Sequence, residues 1–86
     1  MKIEIYSADY CPHCTRAKSV FDRYGLTYTE YDITKDMAGR EEAMTRSGGR
    51  KTVPQIFIDG THIGGCDDLV AFEQSGKLKA LVDKND

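Results

Sequence analysis

The sequence predicts an α/β protein with a four-stranded mixed sheet flanked by three helices, in the order β-α-β-α-β-β-α. Strand-type alternation over 2–6 is followed by helical spacing of apolar residues, and then by a segment rich in β-branched residues and tyrosine. A strand, a helix and a strand in this order imply a right-handed crossover and a parallel strand pair. Near the other end, Asp59-Gly60 between two apolar segments is typical of a hairpin, which adds an antiparallel pair.

The composition is that of an ordinary soluble globule. The chain has 86 residues, of which 40% are hydrophobic and 30% charged, so we expect one folded domain over 1–86. A net charge of −2 argues against nucleic acid as a partner, and no apolar run reaches the roughly 20 residues that span a bilayer. Three cysteines are too few for a secreted disulfide scaffold, and 1–6 does not resemble a signal peptide. We therefore expect a cytoplasmic monomer.

The first half of the chain contains two strands and two helices. The first strand covers 2–6, and Pro12 suits the first position of the helix that follows, because its missing N–H would be unpaired there anyway. Gly25 is a suitable left-handed stop for that helix. Residues 27–33 favour a second strand. Good helix formers at 36–46 predict a second helix, although its apolar stripe is irregular, and a Ser-Gly-Gly sequence ends it.

The second half predicts a hairpin and a helix. Residues 53–58 form the most apolar stretch and should be a buried strand, with 61–64 returning antiparallel to it. Pro54 cannot donate to a sheet ladder, so by itself it indicates a strand edge. The third helix begins at 65–68. Apolar residues within 78–82 allow a further short helix at the C-terminus.

The Cys-x-x-Cys pair at Cys11 and Cys14 has two main interpretations, metal ligation and dithiol redox chemistry. Structural zinc usually takes four ligands from two such pairs. This chain offers one pair, a lone Cys66 and two histidines, His13 and His62. Because His13 lies inside the pair, it would point away from a metal held by its neighbours. The redox interpretation is favoured, with zinc as the alternative.

The position of the pair at the start of a helix gives the two thiols different roles. Unpaired N–H groups and the helix dipole favour a thiolate at Cys11. The dipole contributes only about 0.3–1 kcal/mol, so hydrogen bonds or a cation must supply the remainder. Cys14 lies one turn in on the apolar face and should stay protonated. Cys11 is then the attacking thiol and Cys14 the resolving one. Arg16 and Lys18 either assist the thiolate or are solvated charges.

Three motifs together resemble the glutaredoxins: CPHC at 11–14, TVPQIFI at 52–58 and GGCDD at 64–68. The first is shared across the thioredoxin superfold, whereas the other two at these distances are typical of small bacterial-type dithiol members. The resemblance covers nearly the whole chain. It implies a thioredoxin-like fold in which the Val53–Pro54 peptide is cis and faces the two cysteines.

The resemblance also implies a glutathione site. Val53 would offer its backbone N–H and C=O to the cysteinyl part of glutathione, much as an added strand does. Backbone N–H groups at Cys66 and Asp67 would bind the γ-glutamyl carboxylate, with the Asp67 side chain on the ammonium group. Between the two aspartates we assign helix capping to Asp68. Lys51 would meet the glycine carboxylate, unless it is simply solvated. The expected glutathione-binding residues are Lys51, Thr52, Val53, Gly65, Cys66 and Asp67.

The sequence departs from the family pattern in three places. His13 stands where an aromatic residue is usual, Ala8 stands where many members carry a lysine, and the loop at 47–51 is one residue longer. The longer loop allows Arg50 and Lys51 to exchange roles. CPHC is similar to the active site of strongly oxidising members of the superfold. Reduction potentials across the whole superfold span about 150 mV. We therefore expect His13 to raise the reduction potential, and the expected tuning residues are Pro12, His13 and Pro54.

The activity that the resemblance implies is glutathione-dependent thiol–disulfide exchange. Cys11 would attack a protein disulfide or a glutathionylated protein, and Cys14 or free glutathione would resolve the intermediate. Glutathione is then a co-substrate, without a tightly bound cofactor or metal, and ribonucleotide reductase is a plausible protein partner by family analogy. Two alternatives stay open: a redoxin reduced by thioredoxin reductase, and a dimer that holds an iron–sulfur cluster.

Cys66 is expected to be a small packing residue, with a regulatory thiol as the alternative. His62 is expected to be a surface side chain.

Overall fold

A computed structural model, which describes residues 1–84, contains one mixed sheet with helices on both faces. The strands run in the order β2-β1-β3-β4, with β1 and β2 parallel and the other neighbours antiparallel. This arrangement confirms the predicted α/β class and its crossover and hairpin. The elements are β1 (Ile3–Ser7), α1 (Pro12–Arg23), β2 (Thr29–Asp32), α2 (Met37–Arg46), β3 (Gln55–Ile58), β4 (Thr61–Gly64), α3 (Cys66–Gln74) and α4 (Lys77–Lys84).

Four helices are present in residues 1–84, where three were predicted. The additional helix, α4, follows Gly76, whose positive φ of 85° lets the chain turn sharply after α3. Leu78 anchors α4 because its side chain is fully buried in the core. The open possibility of a terminal helix is therefore the correct one. Residues 85 and 86 of the predicted domain lie outside the described residues.

Two of the predicted strands, β2 and β3, are shorter than expected. β3 begins at Gln55 and not at Val53, because Pro54 has no N–H to give to the ladder. The Val53–Pro54 peptide is cis, as the resemblance implies. β2 covers only Thr29–Asp32. As a result, residues 52–54 are free of the sheet and approach the start of α1.

The side chains of β1 divide the core between the two faces of the sheet. Ile3 and Ile5 face α1 and α3, where they form the main apolar cluster with Phe21 and Leu69. Tyr6 faces α2 and packs in a smaller cluster. Alternation along β1 explains this division, because successive side chains point to opposite faces.

A half-buried ion pair holds α2 against the sheet. The Arg46 guanidinium donates to both carboxylate oxygens of Glu4, each at 3.0 Å, and to the Tyr6 hydroxyl at 2.9 Å. It also lies over the Phe57 ring, 4.0 Å from the centroid. Within α2 only Gly39 and Ala43 are buried, so this ion pair is the main side-chain anchor of the helix.

No helix among residues 1–84 is both long and apolar enough to cross a membrane.

Candidate functional site

Cys11 lies at the point where the chain enters α1. It is the N-cap residue, with extended backbone angles, and Pro12 occupies the first helical position. Its sulfur accepts a hydrogen bond from the backbone N–H of Cys14 at 3.3 Å. Only 9% of the residue is exposed. The N–H groups at the N-terminus of α1 thus reach the Cys11 sulfur.

Cys14 is in a different environment one turn further along α1. The residue is 1% exposed and packs with Ala8 in a small apolar cluster beside Cys11. Burial, reinforced by the hydrogen bond and charge interaction with Cys11, raises the pKa of the Cys14 thiol to about 12. Cys14 is therefore a protonated thiol at neutral pH.

Lys18, the lysine of α1, already has an acidic partner. Lys18 forms an ion pair with Glu30 at 2.8 Å, and Glu30 accepts a second hydrogen bond from the Ser7 hydroxyl at 2.6 Å. The hydrogen bond from Lys18 lowers the pKa of the Glu30 carboxyl, and the same bond raises the pKa of Lys18. Since its charge is largely balanced, Lys18 is a weak source of thiolate stabilisation.

The segment 52–54 forms the wall opposite the cysteines. The Cys11 thiol faces the Val53 carbonyl oxygen, with 3.6 Å between sulfur and oxygen. Pro54 is fully buried behind it. Gly65 approaches the same wall closely, since a Cβ on Gly65 would lie 3.5 Å from the Pro54 carbonyl oxygen. The start of α3 therefore packs against the backbone of this segment.

A polar cavity of about 360 Å³ opens between segment 52–54 and the start of α3. A larger groove of about 460 Å³ lies between the β3–β4 hairpin and α4, but its lining is mostly apolar and contains no cysteine. We place the candidate site in the smaller cavity because its lining includes His13, which lies between the two cysteines in sequence, and Val53, whose carbonyl oxygen lies 3.6 Å from the Cys11 sulfur. Its lining residues are His13, Arg50, Thr52, Val53, Pro54, Gly65, Cys66, Asp67 and Asp68.

The N-terminus of α3 forms one end of this cavity. Gly65 is its N-cap, and the Gly65 N–H donates to the Asp68 carboxylate at 2.9 Å. Gly64 has a φ of 121°, and a side chain at this position would collide with the Asp68 carboxylate. Asp68 is therefore the capping aspartate, while Asp67 is exposed at the cavity.

Arg50, and not Lys51, is the basic residue that lines the cavity. Arg50 also pairs with Asp68 at 3.4 Å. Gly48 and Gly49 have positive φ values, and the turn they form sets which of the two basic side chains points inward. Spacing alone left the two residues interchangeable, because it does not fix side-chain direction in a glycine-containing loop.

Cys66 lies in the first turn of α3 with 4% of the residue exposed. Burial raises the pKa of its thiol, so Cys66 is also protonated at neutral pH.

Among residues 1–84, no three His, Cys, Asp or Glu side chains are grouped closely enough to hold a metal ion.

His62 is not the surface side chain that was expected. It is half-buried, its ring packs on Phe57 at 4.9 Å between centroids, and its Nε2 lies 2.7 Å from the Gln55 side-chain oxygen. The sequence predicted an exposed side chain because no local pattern indicates a hydrogen bond between His62 in β4 and Gln55 in β3.

The glutaredoxin family model matches residues 3–63 of the chain. Glutaredoxin 3 of Escherichia coli is 50% identical over 80 residues, which cover 93% of this chain and 95% of that protein. Sequence similarity therefore extends across nearly the full length of both proteins.

Solved structures show the same likeness in three dimensions. A buckwheat glutaredoxin–glutathione complex superposes with a TM-score of 0.84 at 32% identity, over 95% of this chain and 76% of that one. The solution structure of glutaredoxin from Brucella melitensis gives 0.81 at 43% identity, over 100% of this chain and 92% of that one. These matches confirm the thioredoxin-like fold. The chain belongs to the glutaredoxin family of glutathione-dependent thiol–disulfide oxidoreductases.

Proposed function

We propose that this protein reduces protein disulfides and glutathione mixed disulfides, with glutathione as its co-substrate. One observation carries the proposal: the Cys11 sulfur, which accepts an N–H, lies 3.6 Å from the carbonyl oxygen of Val53, and Val53 lines a polar cavity between segment 52–54 and the start of α3. A peptide backbone can pair with the first of these walls, and a carboxylate can bind at the second. The protein in the buckwheat complex binds glutathione on a closely similar fold.

The first step is attack by the Cys11 thiolate on one sulfur of the substrate disulfide. A new S–S bond forms to Cys11 while the substrate S–S bond breaks, and the departing thiolate takes a proton from water. Helix α1 favours the thiolate, because its N-terminus supplies the Cys14 N–H. The product is a mixed disulfide on Cys11.

The second step can follow two routes that differ in the attacking thiol. Cys14 can lose its proton and attack the Cys11 sulfur, which releases the second substrate thiol, and two glutathione molecules then reduce the internal disulfide to form glutathione disulfide. Alternatively, where the group on Cys11 is glutathionyl, the thiolate of a second glutathione attacks the glutathionyl sulfur, which forms glutathione disulfide and releases the Cys11 thiolate. Burial is the largest cause of the raised Cys14 pKa and persists after Cys11 has reacted. We propose that glutathione resolves glutathionylated substrates and that Cys14 serves protein disulfides.

In the bound state, we propose that the Val53 backbone pairs with the cysteinyl part of glutathione. The α3 N-terminus at Gly65, Cys66 and Asp67 would hold the γ-glutamyl end, where α3 supplies N–H groups and Asp67 supplies a charge opposite to the ammonium. Arg50 is the better placed partner for the glycine carboxylate because it lines the cavity. Lys51 stays the alternative, and Thr52 completes the wall.

The two aspartates at the start of α3 provide a matched pair of variants. Asp67→Ala should raise the KM for glutathione about tenfold, the effect of losing one charge-assisted hydrogen bond, and leave the melting temperature nearly unchanged. Asp68→Ala should instead lower stability by about 1 kcal/mol, since it removes the acceptor for the Gly65 N–H. Steady-state kinetics and thermal unfolding of both variants test this division of roles. A KM effect confined to Asp68→Ala would reverse it.

His13 is expected to make the protein more oxidising. It lines the cavity beside the cysteine pair, where an imidazole that donates to sulfur, or carries charge, would stabilise the reduced form. His13→Tyr should therefore lower the reduction potential by about 30 mV or more, a tenfold change in the two-electron equilibrium. Equilibration with glutathione redox buffers measures this potential, with Tyr10→Phe as a control outside the pair. An unchanged or higher potential in His13→Tyr would refute the role.

Recycling assays distinguish the proposed function from the first of its two alternatives, a redoxin reduced by thioredoxin reductase. The oxidised protein is supplied either with glutathione, glutathione reductase and NADPH, or with thioredoxin reductase and NADPH. We expect sustained turnover of a mixed disulfide only in the first system. Equal or faster turnover in the second would favour a thioredoxin-reductase-dependent redoxin.

The partner class we propose is a protein that forms a disulfide in each catalytic cycle, such as ribonucleotide reductase. The proposed compartment is the glutathione-rich cytosol.

A further inference from the structure

Gln55 makes a set of side-chain hydrogen bonds that the reaction does not explain. It is the first residue of β3 and is 1% exposed. Its amide nitrogen donates backward to the Thr52 carbonyl oxygen at 2.9 Å and to the Thr52 hydroxyl at 3.2 Å. Its amide oxygen lies 2.7 Å from Nε2 of His62. The buried amide therefore joins β4 to segment 52–54.

The His62 ring must be the donor in this contact. Because the Gln55 nitrogen is directed at Thr52, only the amide oxygen faces His62, so Nε2 carries the hydrogen. Packing of the ring on Phe57 holds it in place. Burial lowers the pKa of His62, an effect to which the Arg50 and Arg46 charges contribute, while Asp68 acts in the opposite direction. Both protonation states can donate from Nε2, so the contact does not require either one.

Segment 52–54 depends on such contacts because it lies outside the sheet ladder. On its substrate side, the Val53 carbonyl faces Cys11. The Gln55 amide nitrogen, in turn, donates to the carbonyl oxygen and the hydroxyl of Thr52. Loss of the Gln55 amide would let the Thr52–Val53 backbone shift while leaving the start of α1 unchanged.

We propose that Gln55 and His62 are positioning residues that fix segment 52–54 for substrate docking. This inference rests on the proposed function, in which the Val53 backbone binds the cysteinyl part of glutathione. Gln55 acts on Thr52 directly, and His62 acts through Gln55. Their effect should be larger in substrate binding than in the intrinsic reactivity of Cys11, because neither side chain is hydrogen-bonded to a cysteine sulfur in the described residues and they act on Cys11 only through the Val53 carbonyl.

The test compares Gln55→Leu, His62→Leu and His62→Gln in turnover of a small glutathione mixed disulfide. Gln55→Leu should raise KM about fivefold, as expected if the shifted segment weakens the Val53 contact with glutathione by about one net hydrogen bond, with less change in kcat. The rate of Cys11 alkylation by iodoacetamide should change less than KM, because the Cys14 N–H that donates to the Cys11 sulfur belongs to α1. His62→Leu should also raise KM. His62→Gln, which keeps a hydrogen-bond donor, should have a KM close to that of wild type.

Each outcome of this experiment has a defined meaning. A wild-type KM in folded Gln55→Leu would overturn the positioning role, as would equal KM values for His62→Leu and His62→Gln. If Gln55→Leu fails to fold, the two His62 variants decide the matter alone. Failure of the wild-type protein to turn over the mixed disulfide would instead refute the proposed function, so the two failures are distinguishable.

Discussion

Replacing Cys11 by serine should lower the turnover of a glutathione mixed disulfide by about a thousandfold or more, as expected for loss of a nucleophile. Cys14→Ser should retain a substantial part of the wild-type rate, because glutathione can resolve the intermediate in its place. The reason is structural. The Cys11 sulfur has an N–H donor and faces the Val53 carbonyl in the cavity wall, whereas Cys14 lies one turn further into α1 and has a pKa of about 12. Coupled assays with glutathione reductase measure both variants.

Cys66→Ser is the matched control for these variants, since Cys66 is also a buried thiol at the cavity. We expect it to keep most of the wild-type activity, which would separate loss of the nucleophile from loss of any cysteine. With protein disulfide substrates, Cys14→Ser should be strongly impaired. A Cys11→Ser rate comparable to that of wild type, or complete loss of activity in Cys14→Ser with the glutathione substrate, would contradict the assigned roles.

Replacing Arg46 by methionine should lower the free energy of unfolding by about 3 kcal/mol, as for a broken buried ion pair. The change leaves Glu4, whose side chain is only 7% exposed, without its guanidinium partner beneath α2. For a domain of this size, such a loss lowers the melting temperature by roughly 12–24 °C. Thermal and urea unfolding measure the effect. Arg23→Met is the control, because Arg23 is 64% exposed in its pair with Glu73 and should cost under about 1 kcal/mol.

The same ion pair predicts how stability depends on pH. The hydrogen bond from Arg46 holds the pKa of Glu4 below its ordinary value of 4.5. Because the folded-state pKa is the lower one, the stabilisation is complete above the unfolded-state value and is lost as the pH falls through the folded-state value. Unfolding curves of Glu4→Gln between pH 7 and pH 3 should therefore be less pH-dependent than those of wild type. An identical acid dependence would show that Glu4 does not contribute.

Local patterns in the sequence were enough to predict most of the scaffold. Alternation in β1, the helical spacing after Pro12 and the Asp59-Gly60 turn each depend on residues that are close in sequence. Because Pro12 starts α1, the position of Cys11 relative to the helix N-terminus also follows from local sequence. The asymmetry between Cys11 and Cys14 is thus predictable from the order of residues in this short segment.

Features that depend on distant residues could not be predicted in this way. Arg46 and Glu4 are 42 positions apart, and nothing in the irregular apolar pattern of α2 indicates that its anchor is an ion pair. The Gln55–His62 contact joins two strands through a buried amide, where a surface histidine was the simpler expectation. The orientation of Arg50 into the cavity depends on the backbone of a glycine-containing loop.

The most direct test of the central claim is the site of glutathionylation in the Cys14→Ser variant. The reduced variant is incubated with glutathione disulfide, and the intact mass and the modified peptide are then determined by mass spectrometry. The structure predicts rapid addition of one glutathionyl group, located on Cys11, and its removal by excess glutathione. An adduct on Cys66 with Cys11 unmodified, or no adduct at all, would contradict the assignment of Cys11 as the nucleophile of a glutathione-dependent reaction.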